Sequence, residues 1–110
     1  MKQSQFMAVA VALFALVMAG PAHAQKKTLA VVVKGLDNPF FTVLGDGCAL
    51  WNKENPKSEY QCLYTGPASS ADEAGEIQIV EDLINKGVAG IAISPSNAPA
   101  MANMLNAKKP

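Results

Sequence analysis

Lys34, Asn38, Phe40 and Phe41 stand together at the end of one apolar run and carry the most recognisable chemistry of this chain. An ammonium donates hydrogen bonds, a carboxamide donates and accepts them, and two adjacent rings offer flat apolar faces. Such a set suits the noncovalent recognition of a small polar ligand that also has apolar faces.

The elements around these residues put them where ligands bind. Residues 29–33 (LAVVV) form a continuous Val-rich run, the pattern of a strand covered on both faces in a parallel sheet. Lys34 and Gly35 end it. Asn38 is a good helix N-cap, and Pro39 at the first helical position loses no needed hydrogen bond. Open α/β sheets bind ligands just outside the carboxyl ends of their strands, which is where this turn lies. A helix is expected over residues 40–55, with Phe41, Leu44, Cys48 and Trp51 along one face. Gly45 and Gly47 weaken it by about 1 kcal/mol each relative to Ala, and Asn55-Pro56 stops it.

Residues 59–65 (EYQCLYT) read as a second strand and residues 66–70 as a loop. Ser70 and Glu73 have the S-x-x-E spacing of a capping box before a helix over 74–86. Ile77, Val80 and Ile84 form its stripe, and Gly87 is placed to cap its end. Residues 88–94 (VAGIAIS) predict a third buried strand, Ser94-Pro95-Ser96-Asn97 a turn, and residues 98–107 a last helix. The order β-α-β-α-β-α makes this an α/β chain with half of a doubly wound parallel sheet, its crossovers right-handed.

The amino terminus predicts export. Lys2 lies in a short polar start, residues 6–19 are uninterruptedly apolar, Gly20-Pro21 breaks the run, and Ala22-His23-Ala24 has the small-x-small form that signal peptidase cuts. The run is shorter than the roughly 20 residues of a membrane span, so cleavage after Ala24 is preferred over an uncleaved anchor. Residues 1–24 are thus a signal peptide and 25–110 the exported part, most simply in a bacterial periplasm with no stable membrane insertion.

Nine Lys and no Arg balance nine Asp plus Glu over the whole chain. The exported part, without Lys2, holds one more carboxylate than ammonium. No basic patch calls for nucleic acid or an anionic membrane. The only His, His23, lies in the leader, which excludes a His-based dyad or zinc site from the exported part. Cys48 and Cys62 are an even pair, and an oxidising compartment favours a disulfide between them over two free buried thiols; no C-x-x-C redox motif is present.

From residue 28 to 110 the chain resembles the amino-terminal part of type I periplasmic sugar-binding proteins, the group of the ribose-, galactose- and arabinose-binding proteins. The resemblance rests on the signal peptide, the strand-turn-helix VVVKGLDNPFF, the segment DLINKGVAGIAIS and the SPSNAPAM that opens the last helix. It implies that Asn38, Phe40 and Phe41 touch a sugar, as the matching residues do in ribose-binding relatives, and that Lys34 bonds it, as in the arabinose-binding relative. Ser94 stands where ribose-type relatives often carry Asn. This shorter donor and acceptor departs from the ribose pattern. The resemblance further implies a two-lobed protein of which this is a partial amino-terminal lobe, truncated before a fourth strand. It implies no cofactor, a sugar as ligand and the membrane permease of an ABC importer as partner.

Plainer roles remain open for each residue. Phe40 and Phe41 could be core residues of the first helix, Asn38 only an N-cap, Lys34 a solvated charge and Ser94 a turn residue. The leading function is a solute-binding protein for an ABC importer, with a sensory module feeding a chemoreceptor or histidine kinase as the alternative. An exported enzyme is disfavoured, because G-x-S-x-G and phosphate-cradling Gly loops are missing. A LacI-type regulator would begin with a helix-turn-helix instead of a leader.

Overall fold

The computed structural model describes residues 24–110, so of the signal peptide expected over residues 1–24 all but Ala24 lies outside the described residues. Three parallel strands form one sheet in the order β2-β1-β3: β1 (Lys27–Val32), β2 (Tyr60–Thr65) and β3 (Gly90–Ile93). A 3-10 helix (Pro39–Phe41) leads directly into α1 (Thr42–Glu54), while α2 (Glu73–Asn85) joins β2 to β3 and α3 (Ala98–Ala107) follows β3. The sequence-based alternation of strands and helices holds, with the ends shifted by a few residues.

Because successive strand residues point to opposite faces, β1 divides its side chains between two layers. Ala30 and Val32 join Val80 and Leu83 of α2 and Met101 of α3 in the main buried cluster, with Ile91 and Ile93 of β3 packed against it. Burying a Val side chain fully contributes about 1.5–3 kcal/mol, and both Val32 and Val80 are fully buried. Leu83 belongs to this cluster although the expected stripe of α2 omitted it; Ile77 and Ile84 are only partly buried.

On the other face α1 packs over β2. Cys48 and Cys62 are joined in a disulfide, with Cα atoms 5.2 Å apart and a sequence separation of 14. Closing a loop of about that length contributes roughly 3 kcal/mol in the chain-entropy description. Beside it, Asn52 Nδ2 donates to Cys62 O and Cys62 N donates to Asn52 Oδ1, both at 2.8 Å. One amide side chain thereby satisfies a backbone pair on β2, an edge strand of the three. Gly45 permits the close approach: a Cβ there would sit 2.8 Å from Cδ1 of Tyr64. Of the expected α1 face, Phe41 and Cys48 are buried, whereas Leu44 and Trp51 remain 43% and 37% exposed.

The helix ends partly correct the sequence reading. Asn38 does cap, accepting from Phe40 N at 3.0 Å, but it caps the 3-10 helix rather than α1. The expected Ser70–Glu73 capping box does not form. Asp72, one residue before Glu73, caps α2 by accepting from Gly75 N at 2.9 Å. Gly87 takes a φ of +73° just past α2, the left-handed conformation that ends a helix without a Cβ penalty.

Candidate functional site

Three loops leave the carboxyl ends of the strands: residues 33–38 after β1, 66–72 after β2 and 94–97 after β3. α1 carries the chain from β1 to β2 on one side, and α2 returns it past β1 to β3 on the other. The direction of winding therefore switches between β1 and β3, the place where open α/β sheets form their ligand crevice. A small apolar hollow of about 150 Å³ lies there, lined by Val33, Leu44, Ala92 and Ser94 among others. Wider open hollows of about 650 and 400 Å³ occur at the opposite, amino-terminal end of the strands, around Lys26, Lys27 and Pro56. Their size does not outweigh position, since open α/β sheets bind their ligands outside the carboxyl ends of the strands.

The five residues expected to bind ligand all fall at this carboxyl end. Lys34 follows β1 and is half-buried; its ammonium enters neither of the ion pairs found among the described residues. Phe40 is 76% exposed, and Phe41 is 6% exposed. The rings meet edge to face, with centroids 5.2 Å apart and planes at 84°. Phe41 thus anchors in the lobe and props Phe40 outward. The reason is local: the 3-10 turn sends successive side chains in different directions, so only one of two adjacent rings can face the core. Asn38 spends its Oδ1 on the cap and is half-buried. Ser94 directly follows β3, with its N–H donated to Val32 O at 2.9 Å.

Several residues that shape the site were not singled out by sequence reasoning. Asp37 Oδ1 accepts from Ser70 Oγ at 2.6 Å and Ser70 N at 3.0 Å, while Leu36 N donates to Pro67 O at 2.9 Å. The first two loops are thereby clasped together. The Ser70 hydroxyl bond holds the Asp37 carboxyl below its ordinary 3.8; desolvation opposes the shift, and the Ser70 backbone N–H adds to it. In the third loop, Ser96 N and Oγ donate to Glu76 Oε2 at 2.9 and 2.8 Å. Glu76 carried a signal of its own: with Val80 and Leu83 it lies on the buried face of α2, an odd place for a carboxylate. Among the described residues no group of three or more His, Cys, Asp or Glu could hold a metal ion, and no helix is long and apolar enough to cross a membrane.

With this geometry, residues 29–109 match the family model described as a periplasmic binding protein domain. The chain belongs to the periplasmic binding protein family. It is similar to the ribose import binding protein RbsB of Escherichia coli, 36% identical over 103 residues that cover 94% of this chain and 32% of that protein. It is also similar to a D-ribose/D-allose-binding protein of Pseudomonas aeruginosa, 31% identical over 77 residues, 70% of this chain and 24% of the relative. Among solved structures, an ABC transporter solute-binding protein of Burkholderia multivorans superposes with a TM-score of 0.62 at 30% identity, over 76% of this chain and 31% of that one. A periplasmic solute-binding protein of Actinobacillus succinogenes with bound D-allose superposes with a TM-score of 0.58 at 21% identity, a likeness of fold alone. The chain thus spans 24% to 32% of the length of these curated relatives. Its sheet is that of the amino-terminal lobe of type I periplasmic binding proteins, as the resemblance implied.

Proposed function

We propose that this chain supplies one wall of a sugar site in a periplasmic solute-binding protein that delivers its ligand to the permease of an ABC importer. Residues 1–24 direct export and are removed after Ala24, and residues 25–110 form part of the amino-terminal lobe. The observation that carries the reading is Phe40, a large ring left 76% exposed at the carboxyl end of the sheet. An aromatic ring in that position suits the C–H face of a sugar, whose rim hydroxyls need polar partners such as Lys34, the Asn38 amide and the Ser94 hydroxyl. Phe41 sets the angle of Phe40. The chemistry is capture, with no bond made or broken, as befits a family of binding proteins.

The relatives named for ribose and D-allose support a pentose or hexose as ligand, and their naming as import and ABC solute-binding proteins favours transport over sensing. Isothermal titration of the protein expressed from its complete reading frame is the test. D-Ribose or D-allose is expected to bind with a micromolar or lower Kd, at about −8 kcal/mol or better. Absence of heat from both sugars, in a protein that is folded and ligand-free, would contradict the proposal.

A further inference from the structure

Among the described residues Glu76 is the one charged side chain buried in the lobe core, 1% exposed on the inner face of α2. Burying a carboxylate is costly, and an apolar residue would fill the same stripe beside Val80 and Leu83 without that cost. Its hydrogen bonds are unevenly placed. Oε2 takes both donors of Ser96, the backbone N–H at 2.9 Å and the hydroxyl at 2.8 Å, while Oε1 is buried with no partner among the described residues. The side chain is therefore committed to a single segment, the loop between β3 and α3.

That loop begins at Ser94 and ends at Asn97. Asn97 Oδ1 accepts from Ala100 N at 3.0 Å to cap α3, and its Nδ2 donates to Glu73 Oε2 at 2.9 Å. Two carboxylates three residues apart on α2 thus hold both the middle and the end of the loop. At its start, Ser94 is pinned through its N–H to Val32 O. With both ends held, the direction of the short stretch between them depends on the Ser96 grip. We infer that Glu76 is a positioning residue for the ligand site: by holding Ser96 it fixes the loop that presents the Ser94 hydroxyl. This inference rests on the sugar-site reading of the carboxyl end.

The test uses the protein from its complete reading frame and its Glu76→Ala, Glu76→Gln and Ser96→Ala variants. Amide hydrogen exchange at Ser96 is measured without ligand, and affinity for D-ribose and D-allose by calorimetry. Glu76→Ala should speed Ser96 exchange and weaken sugar binding, each by roughly tenfold, because a charge-assisted pair of hydrogen bonds is lost. Glu76→Gln keeps an oxygen acceptor and should stay within about threefold of the parent in both. Ser96→Ala removes only the hydroxyl donor and should give a smaller loss, about threefold, which keeps the comparison readable if Glu76→Ala does not fold.

Unchanged Ser96 exchange in the variants would overturn the inference. So would a loosened loop with unaltered sugar affinity, or a Gln variant as damaged as the Ala variant. Sugar binding that is absent from the parent itself removes the sugar-site reading and this inference together. Binding that survives every variant removes this inference alone.

Discussion

Adjacent Phe40 and Phe41 divide into an exposed ring and a buried one, because the 3-10 turn at Pro39–Phe41 sends them in different directions. The place of Phe41 on the apolar stripe of the first helix already pointed to that division. Asp37, by contrast, was hidden. An Asp in a turn ordinarily bonds its own backbone, and its partner Ser70 lies 33 residues away, brought close only by the parallel pairing of β1 with β2. The Ser70 bond lowers the Asp37 pKa, so the sign of the pH effect follows directly. A carboxyl depressed in the folded state contributes stability that is present above its unfolded value and lost as pH falls through the lower folded value. The clasp should therefore be intact at pH 5 to 7, and begin to loosen only below the ordinary value of 3.8. The amide resonance of Ser70, followed by NMR, should be flat in the upper range and move only in the lower one. A Ser70 titration centred above 3.8, or one that persists in Asp37→Asn, would rule the clasp out.

At the scale of elements, most of the fold was legible because three signals agreed: Val-rich runs, helical stripes and breakers such as Asn55-Pro56 and Gly87. What escaped were choices between near neighbours. Ser70 and Asp72 both lie just upstream of α2; Asp72 directly precedes its first residue and takes the cap, while Ser70 lies further from it and donates to Asp37 instead. The two glycines of α1 also looked alike in sequence, yet their surroundings differ. A Cβ at Gly45 would press on the Tyr64 ring at 2.8 Å, whereas one at Gly47 meets nothing within 4 Å. Gly47→Ala should therefore stabilise the protein by about 1 kcal/mol, the ordinary helix gain, and raise Tm by several degrees. Gly45→Ala should lower Tm, since overpacking costs about 1–3 kcal/mol and exceeds that gain. Thermal unfolding of the two variants checks the contrast; equal shifts of the same sign would mean that α1 does not pack closely on β2.

At the scale of the whole molecule, strand order does the organising. Because β1 lies between β2 and β3, its carboxyl end meets loops from both neighbours, and Lys34, Asn38, Phe40 and Ser94 gather there from segments some 60 residues apart in sequence. The alternation of strands and helices and the doubly wound class were legible in the sequence, while the strand order and the ties between loops were not, since Asp37–Ser70 and Glu76–Ser96 are long-range contacts with no local periodicity. In the proposed reading the described residues supply one wall of a cleft, and the chain spans no more than a third of the length of its curated relatives. The central claim is that ligand is held at this carboxyl end, with the Phe40 ring as its apolar platform. Calorimetric titration of D-ribose and D-allose into the protein from its complete reading frame, parent against Phe40→Ala, tests it most directly. A loss of about 1–3 kcal/mol, from roughly fivefold to more than a hundredfold in Kd, is expected in a variant that stays folded. An unchanged Kd in folded Phe40→Ala would place the sugar elsewhere and contradict the account.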